Sequence, residues 1–249
     1  MASRTKLGPA TRHLVATVYD SLDYDGLGPV YCYEGGDEFW RAKRGPCGRL
    51  GSRVAAALRG KLGRGGRSLY VGAGVAELPA LIMETVELRR MVEPYNLRSA
   101  EVAALNHACH SVPLTFHLAD AASAKGRFDH LWIVSVLNDP ERFPHLSPLS
   151  YGRGNPLTLD PLKFGKERRS VRTLVARCMG KLTRPGFVTT TTEEVLWIAE
   201  WCHQHRVTYR VGRHEYPTAL VGDPICFIEI GKRKPSEGEA SNNPVTARP

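Results

Sequence analysis

Beyond residue 66 the sequence switches repeatedly between short apolar stretches and longer segments with helical spacing, and this alternation limits the fold more than any other feature. Residues 68–71, 90–93, 113–119, 130–137 and 186–190 read as strands. Residues 77–89, 96–107, 166–182 and 193–205 read as helices between them, with Pro79 tolerated in a first turn. The stretch 130–137 is almost wholly apolar, as a parallel strand covered on both faces should be. Two further strands, 207–213 and 220–230, follow. Such an order predicts an α/β domain built on an open, mostly parallel sheet wrapped by helices.

The flanking segments are of another character. Residues 12–19 suggest a short helix, 21–36 are rich in Asp, Gly and Tyr and read as loop, and 49–61 carry Leu50, Val54, Ala57 and Leu58 at helical spacing. Residues 138–164 bear Pro and Gly and break the rhythm, and the polar stretch 232–249 reads as a disordered tail. The expected organisation is a mainly helical cap over 1–66, a main domain over 67–231 with a substrate-side insertion at 138–164, and the tail. No apolar run approaches the roughly 18 residues of a membrane span, so no membrane partner is expected. Six cysteines lie singly without a C-x-x-C pair, which suits reduced thiols in a cytoplasmic protein, and no metal site is expected.

The formal charge of +9 is unevenly distributed. Residues 1–67 have 12 basic and 6 acidic side chains, and 142–192 have 10 and 2, whereas 68–141 have 5 and 9. The positive excess therefore lies in the two segments expected to frame a substrate.

Open parallel sheets bind ligands beyond the carboxyl ends of their strands. Three successive strand ends carry suitable residues. Gly72-Ala73-Gly74 lets the backbone approach a ligand, Glu93 has the spacing of an acid that accepts ribose hydroxyls, and Asp120 suits an exocyclic adenine amine. In a nicotinamide-cofactor fingerprint a third glycine would stand where Glu77 is, and an acid at that helix start repels a pyrophosphate. A ligand bearing an ammonium and a sulfonium meets no such obstacle.

On the stretch 69–74, Glu93 after Met91-Val92, the sequence Leu118-Ala119-Asp120-Ala121 and the apolar strand ending near Val136, the chain resembles the class I S-adenosylmethionine-dependent methyltransferases. The resemblance implies a Rossmann-like, seven-stranded sheet closed by an antiparallel hairpin, with S-adenosylmethionine as cofactor. It implies that Gly72, Ala73 and Gly74 line the methionine portion, that Glu93 with Pro94 beside it holds the ribose, and that Asp120 and Ala121 contact the adenine. An acid common two residues before the first glycine is Tyr70 here, and Glu77 is the candidate to supply the missing negative charge.

For the acceptor, Asn138 and Asp139 after the fourth strand are candidates to orient or deprotonate it, and Tyr151 is a candidate base. Tyr24, Tyr31 and Tyr33 from the cap and Arg142 from the insertion are candidate substrate contacts, since aromatics with cations suit a planar or anionic molecule. The expectation is methyl transfer to a small anionic or aromatic acceptor, with the cap as a lid. RNA or DNA methylation is the alternative, because the basic segments could follow a phosphate backbone. A nicotinamide-dependent oxidoreductase and a non-catalytic cofactor binder remain as further readings.

Overall fold

The computed structural model describes residues 6–32, 35–150, 152, 159–220 and 222–233. Its centre is a seven-stranded sheet: β1 (Arg67–Val71), β2 (Met91–Asn96), β3 (His117–Leu118), β4 (Phe128–Ile133), β5 (Leu182–Thr191), β6 (Val207–Val211) and β7 (Ile225–Arg233). The strand order is β3-β2-β1-β4-β5-β7-β6. The first five strands run parallel, and β7 pairs antiparallel with both β5 and β6. The order reverses between β1 and β4, which opens a crevice at the carboxyl ends of those two strands.

Helices cover both faces: α1 (Pro9–Asp20), α2 (Tyr24–Tyr31), α3 (Asp37–Arg59), α4 (Leu78–Val86), α5 (Ser99–Ala108), α6 (Ser147–Ser150), α7 (Pro161–Met179) and α8 (Val195–Gln204). Side chains alternate across each strand, so the sheet feeds two cores. Tyr70, Trp132, Phe187 and Phe227 face α1, α3 and α4, whereas Leu69, Leu131, Ile133, Val188 and Ile228 face α7 and α8. Helices α1 to α3 are integral to the first core, since Val18, Leu27, Trp40 and Leu58 are buried in it with Leu81 and Ile82 of α4.

Several boundaries differ from those expected. The supposed loop 21–36 contains α2, whose first turn is capped by Asp23 accepting the Gly26 N–H at 3.0 Å. Leu27 and the contact with α3 supply the burial that local composition does not advertise. Helix α3 begins at Asp37, well ahead of residue 49, and runs through Gly45, Pro46 and Gly48. Gly51 has a packing reason: a Cβ there would lie 2.8 Å from Pro79 Cγ and 3.1 Å from the Ala76 carbonyl, so its absence lets α3 lie against the start of α4. β3 shrinks to two residues, and the chain before it is held instead by Asn106, which accepts the Phe116 N–H at 2.7 Å and donates to its carbonyl at 3.0 Å. β4 ends at Ile133 rather than 137, because the backbone turns at Ser135 with φ of 56°. β7 starts at Ile225, five residues later than residue 220.

Where many sheets of this type carry an acid, Tyr70 serves the core. Its hydroxyl donates to Glu84 Oε1 at 2.6 Å, Ser68 donates to Glu84 Oε2, and Arg90 Nε lies 3.1 Å from the same oxygen. His130 Nδ1 is 2.9 Å from Glu84 Oε1. Burial opposes ionisation of Glu84, but His130 and the two hydroxyls outweigh it and hold the carboxyl below its ordinary range. A buried carboxylate with this many partners is fully compensated.

Candidate active site

Beyond β1 the chain turns at Gly72, whose φ of 69° lies where side chains are strained. A Cβ there would also come within 2.7 Å of Val136 Cγ2. The next residues are tied down by backbone bonds: the Ala73 N–H donates to the Tyr95 carbonyl at 3.0 Å, and Asn96 Nδ2 donates to the Ala73 carbonyl at 2.8 Å. Gly74 donates its N–H to Glu77 Oε2 at 2.8 Å.

The cap reaches this loop through two tyrosines. Tyr19 donates its hydroxyl to the Val75 carbonyl at 2.8 Å. The Tyr31 hydroxyl donates to Glu101 Oε1 and accepts the Val75 N–H at 3.3 Å. It lies so close that a Cβ on Gly74 would stand 2.7 Å from it. Glu101, on α5, also accepts from Asn96 Nδ2 at 2.9 Å.

Between α2, α3 and the loop after β1 lies a cavity of about 380 Å³. Its lining combines Gly72, Gly74, Glu77, Glu101, Ser135 and Asp139 with the apolar Val30, Phe39, Leu50, Val54, Leu220 and Ile225. Its charged side chains are mainly acidic. Arg98 is the one lining cation among the described residues, and its Nη2 donates to Glu141 Oε2 at 2.6 Å. Burial pushes Glu77 up to about 7, against the lowering effect of the Gly74 N–H and the Trp132 side chain. Burial also raises Glu101, against the hydroxyl of Tyr31 and the amide of Asn96.

The wall after β4 is held from behind. Glu194, fully buried, accepts the N–H groups of Ser135 at 3.0 Å, Val136 at 2.7 Å and Leu137 at 2.6 Å, together with the Thr190 hydroxyl at 3.1 Å. Ser135 Oγ is buried and has no partner among the described residues.

The expected site residues divide. Gly72, Gly74, Tyr31 and Asp139 line the cavity, and Ala73 is buried directly behind it. Glu93 is not at the strand end. It pairs in register with Leu69, inside β2, and its carboxylate lies 2.5 Å from Arg67 Nη2. β2 continues for three residues beyond Glu93, through Pro94 and Tyr95 to Asn96, so Asn96 stands at the strand end. Pro94 is in register with Tyr70 and is likewise outside the cavity. Asp120 stands two residues beyond β3, where its Oδ1 caps the following turn through the Ala122 N–H at 2.9 Å and its Oδ2 lies 3.5 Å from Arg177 Nη1. Ala121 is buried against α7.

Asn138 is fully buried, accepting from Trp197 Nε1 and Ser150 Oγ, each at 3.2 Å, and it supports the wall from inside the core. Tyr24 donates to the Tyr19 carbonyl at 2.6 Å and packs on Trp40, away from the cavity. Arg142 lies over the Phe143 ring and lines a different cleft. Tyr33 and Tyr151 lie outside the described residues. Glu101, Asn96, Ser135 and Glu194 carry the site without having been singled out.

No family model matches the sequence, and no curated protein matches it. Solved structures do. Magnesium protoporphyrin IX methyltransferase (ChlM) from Synechocystis PCC 6803, solved with S-adenosylmethionine, is 13% identical and superposes with a TM-score of 0.52 over 89% of this chain and 97% of its own. The same enzyme solved with S-adenosylhomocysteine gives 12% identity and a TM-score of 0.51, covering 89% and 100% of the two chains. No helix among the described residues is long and apolar enough to cross a membrane. With its strand order and its antiparallel closing strands, this chain has the Rossmann-like fold of the class I S-adenosylmethionine-dependent methyltransferases.

Proposed function

We propose that this chain transfers a methyl group from S-adenosylmethionine to a small aromatic acceptor. The observation that carries the reading is the pair of buried acids, Glu77 and Glu101, in a cavity that the tight Gly72–Gly74 turn also lines. An ammonium and a sulfonium need negative charge in a partly dry setting, and Glu77 and Glu101 supply two buried carboxylates there. They stand in for the acid that Tyr70 replaces. The missing side chain of Gly74 makes the room in which the Tyr31 hydroxyl and the Glu101 carboxylate close on the backbone. The residues therefore fit the cationic half of the cofactor. Glu93 and Pro94 are withdrawn as ribose contacts, whereas Asp120 and Ala121 remain candidates at the adenine end.

When bound, the cofactor supplies a methyl already activated on a sulfonium, so positioning and exclusion of water are the protein's main tasks. The apolar part of the cavity lining performs the second. Val30, Phe39, Leu50, Val54, Leu220 and Ile225 suit a flat, apolar molecule, and Asp139 at the rim is the candidate to orient its nucleophilic atom. An anionic acceptor is disfavoured, since Arg98 is already committed to Glu141 and the basic excess of residues 142–192 lies elsewhere. A nicotinamide cofactor is disfavoured too, because Glu77 already takes the Gly74 N–H that a pyrophosphate would need.

The test is ligand-dependent thermal stability of the full chain. S-adenosylhomocysteine should raise Tm, and NAD should leave it unchanged. A rise with NAD alone would replace this reading with an oxidoreductase.

A further inference from the structure

The basic surplus of the sequence has its own place, on the sheet face opposite the cap. Helix α7 presents Lys166, Arg169 and Arg177 along one stripe, spaced so that they span about 16 Å at 1.5 Å per residue. Arg142, from the segment after β4, joins them around an open cleft of about 340 Å³. Asp120 is the one acid in its lining among the described residues, and it faces Arg177.

Other cations on or near α7 are paired, Arg172 with Glu200 and Lys163 with Asp160, as are Arg210 with Glu229 and Arg98 with Glu141 elsewhere. Lys166, Arg169 and Arg142 have no acidic partner among the described residues. The acid that α7 carries near them, Glu167, is occupied in accepting the N–H groups of His145 at 3.0 Å and Leu146 at 2.8 Å. Four cations against one acid in a concave groove, with no exposed apolar side chain in its lining, suit a row of phosphates better than a flat lipid surface.

We infer that the α7 cleft binds the phosphodiester backbone of a nucleic acid. Its contacts are charged and point to the backbone, so binding is independent of base sequence. The cleft shares no lining residue with the cavity; Asp120, the adenine candidate, is the one residue it has in common with the proposed cofactor site, and the four cations that carry this inference have no part in the methyl-transfer reading.

The test is fluorescence anisotropy of a labelled 20-nucleotide oligouridylate with the full chain, between 50 and 200 mM salt. Four phosphate contacts on a single strand give a log–log salt slope of about −2.8, hence about a 50-fold loss of affinity over that range. The double variant Lys166→Ala/Arg169→Ala removes exposed side chains and should leave Tm unchanged while reducing the loss to about 7-fold. A control variant, Arg64→Ala/Lys125→Ala, removes the same charge elsewhere and should keep the wild-type slope. The inference falls if no RNA binds at 50 mM salt, or if both double variants lower the slope equally. It also falls if millimolar inorganic phosphate displaces the RNA completely, which marks a site for free phosphate. Loss of binding to phosphatidylglycerol vesicles, with RNA binding intact, would assign the cleft to a membrane instead.

Discussion

Replacing Glu77 by Gln separates the cost of the acidic cavity from its use. The carboxyl is 8% exposed and titrates near 7 rather than its ordinary 4.5, chiefly because burial disfavours the charge. The folded state therefore holds a proton that the unfolded chain has released over the window from 4.5 to 7. Stability falls as pH rises through that window and is flat above it. A shift of this size amounts to about 3 kcal/mol as an upper value. Gln retains an oxygen for the Gly74 N–H and carries no charge, so Glu77→Gln should stabilise the chain by up to about 3 kcal/mol at pH 8 and by far less at pH 5. Urea denaturation at the two pH values measures the difference.

Binding should run the other way. A carboxyl titrating near 7 is about one-tenth ionised at pH 6 and about nine-tenths ionised at pH 8. If the cofactor's cation selects the ionised form, wild-type affinity for S-adenosylmethionine should rise about tenfold between these pH values relative to the Gln variant. The variant serves as reference because the ligand's own α-amino group also titrates near 8. Calorimetric titration of both proteins reads the ratio. Equal pH dependence in the two would refute the assignment of Glu77 as counter-ion, and a variant destabilised at pH 8 would refute the account of its burial.

Tyr31→Phe removes the hydroxyl shared by Glu101 and the Val75 N–H, and should weaken S-adenosylmethionine binding or global stability by about 1–3 kcal/mol, read by calorimetry and urea denaturation together. Gly72→Ala forces a side chain into a strained conformation and against Val136, so a loss of about 1–3 kcal/mol is expected in denaturant titrations. Glu194→Ala strands three successive amides and should cost about 3–5 kcal/mol, with hydrogen exchange at residues 135–137 rising more than in β1.

The central fold was legible because its signal is periodic. Buried parallel strands such as 131–133, the Gly72–Gly74 turn and the α7 pattern at Val171, Leu174, Val175 and Cys178 each announce themselves over a few residues. Helix α2 and the first half of α3 did not, since Gly28, Pro29, Gly45 and Pro46 are poor helix formers and only burial of Leu27, Trp40 and Cys47 makes these helices worthwhile. The site was half legible for a related reason. Glycines required by backbone geometry are local facts, but Glu101 and Glu194 work through partners about 60 or 70 positions away in the chain. Glu93 shows the converse hazard: correct spacing along the chain says nothing about register, and a strand two or three residues longer than expected moves an acid off the edge of the sheet.

The grip of Glu194 on the turn after β4 also divides the cavity into a fixed side and an adaptable one. Three consecutive amides bound to one carboxylate allow a single backbone path, so that wall keeps its shape whatever molecule lies against it. The lining that α2 and α3 contribute, Val30, Phe39, Leu50 and Val54, is held by undirected apolar packing, in which side chains of different size can be exchanged at modest cost. Drift toward a new acceptor would therefore proceed through substitutions in α2 and α3, while the machinery around β1 and β4 stays untouched.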